Sequence, residues 1–135
     1  MVIPYYQTSS SDPNRADEYS QRGVDLLASG DASAAAQAFR EAIAANPAHI
    51  EAHHGLIRAL RDADQFEAAI AAASALTVLT PHDPLAHTSL SISLQRAGHI
   101  PEAESAAARA RILEWKQQLA AGPAADGLKE DDSFR

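Results

Sequence analysis

Six histidines and a handful of closely spaced arginines carry most of the chemistry this sequence has to offer. His49 and His53 lie four apart, a spacing that puts two imidazoles on one face of a helix, with Glu51 and His54 beside them. Two such ligands are the beginning of a metal site, but a zinc-type site needs three or four held together and no third is fixed by the spacing. The chain has no cysteine, which excludes thiolate nucleophiles, disulfides and Cys-ligated metals. A Gly-x-Ser-x-Gly turn is missing, and the six glycines are too scattered to cradle a phosphate. Acid pairs such as Asp62 with Asp64 and Glu102 with Glu104 fall where carboxylates solvate a surface. The expectation is a protein that is not an enzyme and uses no metal and no cofactor.

The elements that position these residues follow from a period. Pro47 and Pro81 lie 34 residues apart; the same spacing relates Leu26, Leu60 and Leu94, and Ala35, Ala69 and Ala103. Tyr19, His53 and His87 keep the register, as do Gly30, Asp64 and Gly98. A fixed period of this length marks stacked supersecondary units. The histidines at 53 and 87 therefore occupy the slot of Tyr19, which reads as packing and competes with the metal reading. Within each period apolar residues recur at helical spacing around a central turn, so each unit is a helical hairpin. The spacing predicts helices over 13–29, 32–46, 50–62, 65–79, 84–97 and 101–119, with Asp12-Pro13 and Asp83-Pro84 as helix starts.

Composition agrees with an all-α fold. About thirty alanines and only 5% aromatic residues favour closely packed helices over sheets. With 135 residues the chain fits one domain, and 46% hydrophobic residues suffice for a core. A formal charge of -7 opposes non-specific adhesion to nucleic acid or anionic membrane, and no apolar run is long enough to insert in a membrane. No signal-peptide pattern opens the sequence, so the expected location is cytoplasmic. Residues 1–12 read as a flexible arm, 13–120 as the helical domain and 121–135 as an acidic flexible tail.

A 34-residue helical hairpin with a small residue, an aromatic and a proline in register resembles the tetratricopeptide repeat (TPR). Repeat 1 (about 16–49) carries Tyr19, Gly23, Leu26, Ala35, Phe39, Ala42 and Pro47. Repeat 2 (about 50–83) carries Leu56, Leu60, Ala69, Leu76 and Pro81, with Ile57 in the small slot and Ala73 in the aromatic slot. Repeat 3 (about 84–117) carries Leu90, Ser91, Leu94, Gly98, Ala103 and Ala110, with Ala107 in the aromatic slot and Trp115 where the closing proline would stand. The resemblance implies a right-handed superhelical stack of three hairpins, with the last helix extended as a cap. Ile112, Trp115 and Leu119 form one apolar stripe on that extension.

The resemblance also implies a concave groove lined by the first helix of each repeat. Its positions here hold Val24 and Leu27 from repeat 1, His54, Arg58 and Arg61 from repeat 2, and Thr88, Ile92 and Arg96 from repeat 3. Asp17, Ser20, Glu51, Asp62 and Leu85 occupy further groove positions. The expected function is a non-catalytic module, a scaffold or adaptor, that holds a peptide of a partner protein in this groove. The arginines suit a partner with acidic or C-terminal carboxylate groups. Two readings of them stay open: a carboxylate site, or a face neutralised by Asp62 pairing with Arg58 and Arg96. A TPR subclass that clamps chaperone tails uses Lys and Asn where this chain has Ser20 and Val24, and Asn where it has Gly55. The alternative function is a self-associating assembly, a homo-oligomer built through the arm or the repeat ends.

Overall fold

Alanine-rich segments with a larger apolar residue every three or four positions are stable as helices joined through their small faces. The computed structural model describes residues 13–122, and every regular element among them is a helix. In chain order these are α1 Pro13–Ala28, α2 Ala32–Ala45, α3 Ile50–Asp62, α4 Phe66–Leu79, α5 Pro84–Arg96 and α6 Ile100–Ala120. Each lies within one residue of the span read from the spacing. The arm at 1–12, with the Asp12 cap, and the tail from 123 onward lie outside the described residues.

All three hairpins turn by the same device. The carbonyls of Leu26, Leu60 and Leu94 accept hydrogen bonds from the amides of Asp31, Gln65 and His99 at 2.9, 2.8 and 2.9 Å. Just before each donor the backbone enters the left-handed region, at Gly30 (φ 90°), Asp64 (φ 60°) and Gly98 (φ 89°). This is the bonding that closes a helix end through a left-handed residue, and it recurs every 34 residues. Asp64 carries a β-carbon in a conformation that costs an ordinary L-residue about 1–2 kcal/mol. Replacing it with glycine relieves that strain, less the extra entropy glycine loses on folding. Asp64→Gly is therefore expected to raise stability by about 0.5 kcal/mol, read as a higher denaturation midpoint. A lower midpoint would mean that the Asp64 side chain holds the turn.

Between repeats the two histidines at the shared slot tie down the preceding loop. His53 Nε2–H donates to the Pro47 carbonyl at 2.8 Å, and His87 Nε2–H donates to the Pro81 carbonyl at 3.0 Å. Side-chain caps start the helices: Asp31 accepts from Ala34 N, the His49 ring from Ala52 N, and Asp83 from Leu85 N. Helix α3 lies against α1 and α5 as well as against its neighbours α2 and α4. The backbones of α2, α4 and α6 do not approach one another. First helices together and second helices apart make each hairpin a wedge, so α1, α3 and α5 form one continuous inner wall.

The core explains why repeat 2 departs from the pattern. In repeat 1 the buried Phe39 ring lies against Gly23, large against small. In repeat 2 the sizes are exchanged, Ile57 against Ala73, and both are fully buried in one cluster with Leu76 and Ala86. A swap that conserves volume keeps the interior filled. Repeat 3 has neither large residue; there Ser91 Oγ–H donates to the Ala103 carbonyl at 2.8 Å, binding α5 to α6 directly. Helix α6 runs to 21 residues against the 13 of α5. It packs through Ala103, Ala106, Ala110 and Leu113. The Ile112, Trp115 and Leu119 stripe points outward instead, at 45%, 61% and 52% exposure.

Candidate functional site: a cleft and an arginine row on the inner wall

Glycine at position 55 shapes the inner wall. A β-carbon there would stand 2.3 Å from the Phe39 ring, and one at Gly23 would stand 2.7 Å from it. Phe39 therefore reaches from α2 between α1 and α3, and only two glycines leave room for its ring. Where Gly55 lacks a side chain the wall opens into a cleft of about 910 Å³ with the Phe39 ring in its lining. Val24, Leu27 and Ala28 give it an apolar side on α1, and His54 and Arg58 give it a polar side on α3. Asp17, Glu51 and Asp62 also line it.

The groove residues expected from the sequence divide into two groups. Val24 (50% exposed), Leu27, His54 and Arg58 line the cleft together. Arg61, Thr88, Ile92 and Arg96 are not part of its lining. Arg61 follows one turn along α3, Thr88 and the exposed Ile92 belong to α5, and Arg96 is the last residue of α5.

The arginines face three different environments. Arg58 Nε lies 3.8 Å from Asp62 Oδ2, a long and exposed i,i+4 pair that contributes little. The Arg96 guanidinium stacks over the Phe66 ring, 5.1 Å from its centre. Arg61 has neither arrangement: its Nη1 is buried and has no hydrogen-bond partner among the described residues. Burial pushes its guanidinium below the ordinary arginine value, Asp62 opposes that, and Arg96 and Arg58 add to it. Of the two open readings, Asp62 thus reaches Arg58, Arg96 is occupied by an aromatic ring, and Arg61 joins no direct ion pair among the described residues.

His54 completes the polar side. Burial lowers its pKa below 6.5, the Asp83 carboxylate works against that, and His53 and Arg61 reinforce it. At neutral pH the imidazole is mostly uncharged. His49 and His53, the two residues at metal-ligand spacing, are engaged otherwise. His49 Nε2–H donates to Asp17 Oδ1 at 2.8 Å while its Nδ1 caps α3, and His53 holds the Pro47 carbonyl. The link to Asp17 joins the first helices of repeats 1 and 2 at one side of the cleft.

Two contributors escaped sequence reasoning. Gly55 was legible as a departure at the family's asparagine slot, but that it admits an aromatic ring from another helix needed the fold. The His49–Asp17 link carries a signal only in hindsight, a histidine just ahead of a helix start.

Comparison with known proteins agrees with this geometry. The tetratricopeptide repeat family model matches residues 26–92, from the last turn of α1 into α5. No curated protein matches the sequence. Among solved structures, MamA is similar with a TM-score of 0.72 at 24% identity, over 78% of this chain and 62% of that one. This chain thus spans less than two thirds of the MamA chain. The second TPR of Spaghetti (RPAP3), bound to the HSP90 peptide SRMEEVD, is similar with a TM-score of 0.70 at 17% identity, over 78% of this chain and 97% of that one. The CopN–Scc3 complex gives a TM-score of 0.68 at 22% identity, over 74% and 59%. A family match over residues 26–92 and a backbone shared with these repeat proteins give the 34-residue period its name: the middle of this chain is tetratricopeptide repeat, and its six helices make three hairpins of that build.

Proposed function

We propose that the chain is a cytoplasmic, non-catalytic adaptor that holds a peptide segment of a partner protein along α1, α3 and α5. The segment carries a bulky apolar side chain, which enters the cleft against Val24 and Leu27, and a neighbouring carboxylate, which Arg61 binds with Arg58 beside it. The observation that carries this reading is the buried Nη1 of Arg61 without a partner. A buried donor left unpaired costs about 1–3 kcal/mol, and a guanidinium that swings out to meet a carboxylate at the surface of the wall recovers it through a charge-assisted bond. The RPAP3 neighbour, whose bound peptide SRMEEVD is acidic, supports a peptide of this class. The chaperone-tail clamp itself is not part of the reading, because Ser20, Val24 and Gly55 stand where its Lys and Asn residues belong.

His54 gives the site a pH dependence whose sign follows from its environment. Its pKa is lowered chiefly by burial, so it takes up its proton only below the ordinary histidine range and then adds positive charge beside Arg58 and Arg61. Peptide carboxylates stay ionised there. Affinity for an acidic peptide is therefore expected to rise as pH falls from 7.5 to 5.5, and His54→Gln is expected to flatten that profile. A wild-type profile already flat would contradict it. The partner is sought by affinity capture from native extract with wild type and an Arg58→Glu, Arg61→Glu double variant in parallel. The retained protein's segment is then titrated directly against both. A segment bound by wild type and lost by the folded variant supports the groove; equal binding by both places recognition elsewhere.

A further inference from the structure

The outer side of α6 carries an apolar row that the packing of the hairpins does not use. Ala103, Ala106, Ala110 and Leu113 are the buried face of the helix, turned to α5, the only helix that α6 touches among the described residues. At about 100° per residue, Ala108, Ile112, Trp115 and Leu119 fall on the opposite side. Ala108 is half-buried and the three large residues are exposed. They follow one another in steps of four, three and four residues, the d, a, d and a positions of a coiled-coil seam. One heptad before Ile112 the a position is Ser105, so the apolar row begins at Ala108 and runs about 16 Å. Bases border it on both edges: Arg111 at a g position, Arg109 and Lys116 at e positions. All three are exposed, and none joins an ion pair among the described residues. The one acid along this stretch, Glu114, lies about 125° round the helix from the row.

We infer that this row docks an amphipathic helix of a partner protein, about three turns long, whose single apolar seam is flanked by Asp or Glu. The seam spacing fixes the occupant as a helix, because its side chains fit as knobs between those of a second helix with the same repeat. The row is only about 40° wide, much narrower than the face a helix presents when it lies on a core or in a lipid interface. The bordering charges then decide which helix fits. A second copy of α6 does not: laid parallel, Arg111 at g meets Lys116 at e of its copy, and laid antiparallel with Ile112 over Trp115, Arg109 meets Lys116 across the e positions. Both arrangements set like charges against each other, whereas acids at the facing positions turn the same three bases into attractive pairs. In a chain of net charge -7 this basic border is a local exception, and the overall charge opposes an anionic lipid surface. The row lies on α6 and the cleft between α1 and α3, so the two surfaces can be occupied together.

Trp115 is the sole tryptophan, so its emission reports contact at this row and not at the inner wall. The probes are two synthetic three-heptad helices with Leu at a and d, one with Glu and the other with Lys at every e and g position, titrated into the full-length protein at low salt. The Glu probe is expected to shift the Trp115 emission to the blue and to bind at least about 10-fold tighter than the Lys probe. The triple variant Arg109→Glu, Arg111→Glu, Lys116→Glu keeps the apolar row and is expected to reverse that preference, and Ile112→Asp with Leu119→Asp to lose both probes, with helicity checked by circular dichroism. Arg61→Glu is expected to leave the Trp115 response to the Glu probe unchanged, which separates this surface from the inner wall. Equal response to both probes, no reversal in the triple variant, or loss of the response in Arg61→Glu would overturn the inference. So would an indole already shielded from acrylamide in the free protein, which assigns the row to the chain's own residues. A mass that doubles with concentration in wild type but not in Ile112→Asp would assign it to a second copy and overturn it as well. A blue shift with phosphatidylglycerol vesicles and none with the Glu probe would overturn it in favour of lipid.

Discussion

Phe39→Ala is expected to remove about 3–5 kcal/mol of folding stability, a large part of what a domain of this size has. The ring is 1% exposed and lies against glycines of two different repeats, so its loss leaves a cavity where repeat 1 meets repeat 2. Repeat arrays are held by nearest-neighbour interfaces, so the damage should loosen the whole of repeat 1. Urea unfolding followed by circular dichroism checks it, with a lower midpoint and a lost first unfolding unit as the expected result. The same geometry predicts non-additivity. Gly55→Ala alone forces a β-carbon to 2.3 Å from the ring and should cost about 1–3 kcal/mol or more by overpacking. In a Phe39→Leu background much of that cost should vanish, because the clashing ring is gone. Additive penalties would mean that the ring does not fill the space between Gly23 and Gly55.

Arg61→Glu is expected to weaken binding of an acidic peptide about 10- to 100-fold, the loss of one charge-assisted contact plus a new repulsion. Stability should change by less than about 1 kcal/mol, since the substitution breaks no hydrogen bond or ion pair of Nη1. Arg96→Ala gives the opposite pattern. It removes a cation–π contact with Phe66 worth about 0.5–1 kcal/mol and leaves most of the affinity in place. Peptide titrations and thermal melts on the two variants separate the roles. A marked destabilisation by Arg61→Glu with unaltered binding would make Arg61 a structural residue and remove the carboxylate site.

Sequence carried the fold because the fold is periodic. Leu26, Leu60 and Leu94 announce the hairpin turns by their spacing, and the structure gives all three the same carbonyl bond. The extent of α6 was equally legible, but of its packing face only Ala103 and Ala110 stood in the repeat pattern. Ala103, Ala106, Ala110 and Leu113 form a weaker apolar pattern than Ile112, Trp115 and Leu119, yet it is the small residues that let α5 come close. Size exchange hid in the same way: Ile57 and Ala73 each break the repeat pattern, and together they restore its volume. At the site, the groove positions implied by the family resemblance put Val24, Leu27, His54 and Arg58 on one wall, and the cleft holds all four. The differing surroundings of Arg58, Arg61 and Arg96 depend on which neighbour each guanidinium reaches. Phe66 enters that wall from the start of α4, which no repeat position foretells.

The central claim is that the inner wall recognises a peptide by an apolar side chain and an adjacent carboxylate. It is tested most directly by selecting a random-peptide library on the immobilised full-length protein and titrating the enriched peptides against wild type and Arg61→Glu. The account predicts enrichment of a bulky apolar residue within a few positions of Asp or Glu, with affinity lost in the folded variant and competed by a Val24→Asp change in the cleft. Peptides without an acidic residue, or peptides that bind Arg61→Glu as well as wild type, would contradict it.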